Sequence, residues 1–222
     1  MKIQKLRLYA SQLPSLFDFY HDKLGFEEIF LSNEELHIQV GGTELVFEKH
    51  PLGFIYHFAF LIPHAQIDAA IEYLEDRNID LLPYKGKQVI DFTTGKAIYF
   101  YDPAGNIVEF IDRPNLNLSA DGKFSTKQIL RLNEIGMPVN DPLLVSKSLR
   151  ESFNIRLVQP EILGEHFCWI GDYEGVFIVV KEGRNWLPTS LPAMFNDFEA
   201  DFIESGVSFS LKFVNGQITD SR

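Results

Sequence analysis

A helix followed by three short strands, with one strand before it, occurs more than once along this chain. That repetition limits the folds open to it. Residues 3–10 read as a strand. Leu13-Pro14-Ser15 then opens a helix in which Leu16, Phe17, Tyr20 and Leu24 recur at helical spacing, with Gly25 as its C-terminal cap. Three short strands are predicted at 26–32, 35–40 and 43–49, punctuated by Asn33 and Gly41-Gly42. The second pass holds a strand at 56–62, a helix at 65–77, strands at 79–83, 88–92 and 97–101, and a last strand at 106–111. Residues 114–126, poor in apolar side chains, read as a linker. A third pass follows, with strand 129–138, helix 142–152, strands 154–158, 165–171 and 175–181, and turns at 161–164 and 172–175. The fourth pass is abbreviated: 186–195 carries two prolines and no helical period, and only the strands 197–204 and 207–214 complete it. The expectation is an α+β protein of tandem modules, divided into domains at 1–113 and 127–222.

Composition narrows the partners. The chain has 222 residues, 45% of them apolar and 14% aromatic, which is ample for a core. Its net charge of −11 and lack of a Lys/Arg cluster argue against a nucleic-acid partner, which needs a positive field. A single cysteine, Cys168, excludes an internal disulfide framework and suits a reducing compartment. The N-terminal Met1-Lys2-Ile3-Gln4-Lys5 is broken by charges, and no 18-residue apolar run exists, so a cytoplasmic protein without a membrane partner is expected.

Two polar residues stand where strand patterning would put apolar ones. Side chains alternate faces along a strand, so His57 shares a face with Ala59 and Leu61, and Glu109 shares one with Ile107 and Ile111. A carboxylate among isoleucines costs several kcal/mol of desolvation unless it is compensated, and a cation is one such partner. That cation is either a metal or a side chain such as Lys5, and His57 by itself reads first as a core histidine bonded to a backbone carbonyl.

Three segments resemble the vicinal oxygen chelate superfamily, which includes glyoxalase I, extradiol dioxygenases and bleomycin resistance proteins. They are Leu13 to Tyr20 with Leu24-Gly25-Phe26, Tyr56-His57-Phe58-Ala59-Phe60, and Asp102-Pro103-Ala104-Gly105-Asn106-Ile107-Val108-Glu109. The resemblance implies paired βαβββ modules whose curled mixed sheets form incomplete barrels around a metal. Carried over residue by residue, it places His57 and Glu109 on metal-ligand positions, and puts Lys5 where a first-strand histidine is usual. Lysine is a poor ligand because its ammonium must first lose a proton. The third module places Glu134 in the equivalent slot of its opening strand. If the second module packs against the third, His57, Glu109 and Glu134 would meet as a set suited to Fe(II), Mn(II), Ni(II) or Zn(II). Glu48 is a weaker candidate.

The resemblance implies a metal-dependent lyase, isomerase or ring-cleaving dioxygenase, with a substrate that chelates the metal through neighbouring oxygens and with Glu134 or Glu109 as the catalytic proton carrier. The alternative is a metal-free, non-catalytic small-molecule binding protein, monomeric or homodimeric. Tyr99 and Tyr101 are expected in the interior, and His21, His37, His50 and His64 in solvent. His166 is a weak pocket candidate, and 183–189 reads as an ordinary connector rather than a cover over the pocket.

Overall fold

A computed structural model describes residues 1–120, 122–157 and 162–221, without the side chains of 220 and 221. The first module comprises β1 (Lys2–Ala10), α1 (Leu13–Phe17), β2 (Ile29–Leu31), β3 (Glu35–Val40) and β4 (Thr43–Lys49). The second has β5 (His57–Ile62), α2 (Ile67–Glu75), β6 (Ile90–Phe92), β7 (Gly95–Tyr101) and β8 (Ile107–Asp112). The third has β9 (Arg131–Val139), α3 (Pro142–Phe153), β10 (Phe167–Asp172) and β11 (Gly175–Lys181). The last has β12 (Phe198–Glu204), β13 (Val207–Val214) and β14 (Gln217–Ser221), with no helix among the described residues. The α+β architecture and the abbreviated fourth module are as expected.

The modules pair across the chain rather than in sequence order. One sheet runs β14-β13-β12-β1-β4-β3-β2, joining the fourth module to the first, and the other runs β10-β11-β9-β5-β8-β7-β6, joining the third to the second. Each sheet therefore takes strands from both sides of 114–126. That segment is no free tether, because Phe124 is buried against Tyr73 and Phe110 at ring separations of 5.4 and 5.7 Å.

Several boundaries differ from expectation. The first helix continues past Phe17 as a π-helical stretch, Asp18–Lys23, in which Leu24 N donates to Phe19 O at 2.7 Å. This wider turn accompanies the full burial of Tyr20, whose hydroxyl donates to Asp102 Oδ2 at 3.0 Å. The strand expected at 79–83 is reduced to one bridge, Leu81 with Phe100. Residues 154–157 form no strand, and 158 and the start of the turn expected at 161–164 lie outside the described residues. β14 was not anticipated. Its hairpin turns at Asn215 (φ 48°) and Gly216 (φ 78°), the left-handed pair that a two-residue hairpin requires.

Alternation decides which side chains enter which core. On β5, Phe58, Phe60 and Ile62 join the large aromatic core shared by both sheets, while Ala59 and Leu61 join a smaller apolar cluster on the opposite face. β8 divides likewise, with Val108 and Phe110 on one side and Ile107 and Ile111 on the other. The smaller cluster surrounds the polar residues that sequence patterning singled out.

Candidate metal centre

The strand register brings together residues far apart in sequence. Ala59 lies opposite Glu109 in the parallel β5/β8 pair and opposite Glu134 in the antiparallel β5/β9 pair. His57, two residues earlier, is therefore flanked by both carboxylates. Its Nε2 lies 3.4 Å from Glu109 Oε2 and 3.6 Å from Glu134 Oε2. One ligand atom from each of the three residues falls within 4.8 Å of the others, and all three side chains are buried. Neighbouring ligands at about 2.1 Å from a tetrahedral ion stand about 3.4 Å apart, so this spacing suits a first-row ion.

The Asp-Pro-Ala-Gly-Asn turn sets that register. Asp102 Oδ1 accepts from the amides of Ala104 and Asn106, both at 3.0 Å, and Asn106 Nδ2 donates to Asp102 Oδ2 at 2.8 Å. Asn106 Oδ1 in turn accepts from Tyr56 N at 2.8 Å, while Ile107 N donates to Tyr56 O at 2.8 Å. The turn thus clamps the start of β8 to the start of β5. His57 Nδ1 then lies 3.1 Å from Ile107 O, so Nδ1 carries a proton and Nε2 faces the carboxylates. A backbone partner of this kind commonly orients a ligating imidazole.

A bulge in β9 supplies a residue that sequence reading missed. The β5/β9 register shifts between Ala59/Glu134 and Phe60/Leu132, leaving Asn133 as the extra residue. Asn133 Oδ1 accepts from Arg113 Nε at 3.3 Å, and Asn133 Nδ2 donates to Tyr173 O at 2.9 Å. Arg113 Nη2 donates to Glu134 Oε1, and Nη1 donates to Thr94 O at 3.1 Å. The guanidinium also faces the Trp169 ring at 5.5 Å. Arg113 directly follows β8, and the only sequence signal was a charged residue at the end of an apolar strand.

These contacts set the protonation of the cluster. Burial lifts the Glu109 carboxyl to about 8, aided by the Glu134 charge and opposed by His57 and Arg113. Burial also opposes the charge on Glu134, but the adjacent His57 ring and the Arg113 guanidinium hold it below the usual carboxylate range. For His57, burial disfavours the imidazolium, and Glu134 and Glu109 outweigh it and raise the pKa. Tyr99 is pushed well above the tyrosine range by burial and by the nearby charges of Glu109 and Glu134. The cluster thus holds protons near neutral pH that a cation could displace.

Lys5 lies elsewhere. It belongs to the other sheet and pairs with Glu44 at 2.8 Å, so it does not neutralise Glu109. Glu48 pairs with Arg7 at 2.6 Å, which removes it from the centre. By register, Glu109 lies opposite the residue two past His57, and the corresponding position two past Glu134 is Gly136, opposite Ile178. A fourth slot is therefore apolar.

A cleft opens on the cluster, with about 100 Å³ accessible to the centre of a water molecule, walled by Tyr99, Trp169, Ile178 and Trp186 and rimmed by Phe92, Phe167 and Arg184. Trp186 packs over His57 at 5.1 Å between ring centroids. Gly136 makes room for it, since a Cβ there would meet the indole at 2.6 Å. The 183–189 segment, read as a connector, therefore covers the pocket. Tyr99 lines the cleft, whereas Tyr101 is exposed. His166 is exposed and absent from the lining, where its neighbour Phe167 stands. Not all of the remaining histidines are free in solvent: His37 bridges Glu44 (2.7 Å) and Glu35 (2.9 Å), and His64 contacts Asp112 at 3.1 Å. No helix among the described residues is long and apolar enough to cross a membrane.

Comparison with known proteins adds independent information. The profile of the Glyoxalase/Bleomycin resistance protein/Dioxygenase superfamily matches residues 2–110. The metallothiol transferase FosB of Shouchella clausii is 30% identical over 114 residues, covering 48% of this chain and 77% of that protein. A solved Bacillus subtilis structure, described provisionally as a dioxygenase, superposes over 100% of this chain and 69% of its own, with a TM-score of 0.59 at 14% identity. A lactoylglutathione lyase from Agrobacterium tumefaciens covers 50% of this chain and 92% of its own, at 22% identity and a TM-score of 0.43.

Proposed function

The chain belongs to the Glyoxalase/Bleomycin resistance protein/Dioxygenase superfamily, and from that premise we propose that it is a metal-dependent enzyme acting on a small molecule with neighbouring oxygens. The observation that carries this reading is the convergence of His57 Nε2, Glu109 Oε2 and a Glu134 oxygen at the floor of the cleft. The donor set fits a divalent transition ion: one imidazole and two carboxylates satisfy Fe, Mn, Ni or Zn, and three protein ligands leave positions open. When bound, such an ion supplies Lewis-acid polarisation of the substrate oxygens.

The chain's own residues do the remaining work. Arg113 occupies Glu134 Oε1 and leaves Oε2 turned towards His57. In the absence of an ion the Glu109 carboxyl is lifted to about 8, and Glu109 or Glu134 would carry the proton of the reaction. Trp186, Trp169 and Ile178 give the site apolar walls. Both site-bearing modules lie in one chain, so the centre needs no partner subunit.

A second reading is supported by the Arg113–Glu134 ion pair, which already neutralises one carboxylate and would let a metal-free cleft bind ligand without chemistry. Metal analysis of protein purified without chelator separates the two. One equivalent of a transition metal, lost in His57→Ala and Glu134→Ala proteins that keep the native circular dichroism, supports the enzyme. Metal-free protein with negligible affinity for added Mn(II), Ni(II) and Zn(II) overturns it in favour of the binder.

A further inference from the structure

The cleft contains two arginines in opposite circumstances. Arg113 is buried and committed to Glu134, Asn133 and Thr94. Arg184 stands half-buried at the rim with its guanidinium 5.1 Å from the Phe167 ring centre, and no carboxylate partner is found for it among the described residues. Its side chain makes a long hydrogen bond of 3.4 Å from Nη1 to the carbonyl of adjacent Asn185. Burial without a countercharge lowers its pKa, the mark of a cation that has lost water and gained nothing in return.

The backbone holds that guanidinium in place. Arg184 N donates to Lys181 O at 3.1 Å, Arg184 O accepts from Ala193 N at 2.8 Å, and Gly183 N donates to Ala193 O at 2.8 Å. Asn185 bridges to Pro192, and Ala193 is fully buried. The cation is therefore presented on a braced segment and lies over an aromatic face.

The walls define the rest of the ligand. They are flat and apolar, and the accessible space of about 100 Å³ is comparable to cavities that accept a single benzene ring, about 150 Å³. We propose that the cleft takes a small planar or single-ring acid, with Arg184 gripping its carboxylate or other oxyanion at the mouth while the ring lies between the tryptophans. This assignment rests on reading the cleft as a ligand site, and it names the substrate class rather than the reaction. A guanidinium meets a planar oxyanion through two parallel hydrogen bonds, and this pairing gives the mouth a directional preference that the apolar walls lack.

Both tryptophans of the chain, Trp169 and Trp186, line this cleft, so intrinsic fluorescence reports its occupancy directly. Benzoate, phenylphosphonate and the neutral isostere benzamide are titrated into chelator-treated protein, where no metal contributes to anion binding. The expected result is benzoate or phenylphosphonate binding at least roughly tenfold tighter than benzamide, as a charge-assisted pair predicts. Arg184→Gln removes that preference without changing benzamide affinity or thermal stability, and Arg184→Lys restores part of it. Equal affinity for acid and amide, or an acid preference that survives in Arg184→Gln, overturns the proposal. The titration is independent of metal content, so its failure and the failure of the metal reading are separately visible.

Discussion

Arg113→Met would remove the only guanidinium among the described residues that touches the buried carboxylates while keeping much of its apolar stem. In the native cluster Arg113 bonds Glu134 Oε1, Asn133 Oδ1 and Thr94 O, and both it and Glu134 are buried. Removing one partner of a buried pair leaves an uncompensated charge, at a cost of about 3–5 kcal/mol. For a chain of this length each kcal/mol shifts the midpoint by about 2–4 °C, so metal-free Arg113→Met should melt about 6–20 °C below the parent at neutral pH. The pH dependence has a definite sign. Burial alone would raise Glu134, but His57 and Arg113 hold its pKa below the usual value. Its contribution is therefore present above the unfolded carboxyl pKa, about 4.3, and is lost as pH falls through the folded value. The gap between variant and parent should narrow as the pH is lowered below about 4.3. Added Mn(II) or Zn(II) should also narrow it, because the ion supplies the missing positive charge. Scanning calorimetry at several pH values, with and without metal, measures all three. A shift below about 2 °C at neutral pH, or one that is independent of pH, would refute the claim that Arg113 holds this cluster together.

The other expectations are simpler. Because burial lifts Glu109 to about 8, metal uptake should release at least one proton, and affinity should climb about tenfold per pH unit up to that value; calorimetry in buffers of different ionisation enthalpy checks this. Gly136→Ala should push Trp186 off His57, shifting tryptophan emission and destabilising the fold by about 1–3 kcal/mol, since the new Cβ would lie 2.6 Å from the indole. Lys5→Met should leave metal content unchanged, because Lys5 pairs with Glu44 on the other sheet. Asp102→Ala should lose about 2–4 kcal/mol in chemical denaturation and weaken metal binding, as Tyr20, Asn106 and two amides lose their common acceptor.

Much of the centre was legible because strand alternation is local. His57 and Glu109 stood out as polar residues on faces otherwise filled by Ala59, Leu61, Ile107 and Ile111, and the structure puts those side chains on one face. The Asp102–Asn106 turn was visible as a motif, though its part in locking Tyr56 beside Ile107 needed coordinates. Arg113 and Asn133 were not legible. Their roles depend on a one-residue bulge in β9, and a bulge in the middle of an expected strand carries no periodic signature. Trp186 was passed over for a similar reason. A connector with two prolines has no period, and its burial depends on Gly136, fifty residues earlier and on another strand.

The amino-acid order by itself determined the outline of the module: the presence of most of its strands and helices, which residues face inward, and which turns close them, because each follows from spacing over a few residues. Only the tertiary structure decided that the second module sits beside the third and the first beside the fourth. Every module offers similar apolar faces and strand edges, so the choice among pairings rests on long-range packing summed over whole sheets. That choice brings Glu134 and Arg113 to His57 and leaves Lys5 with Glu44 on the other sheet.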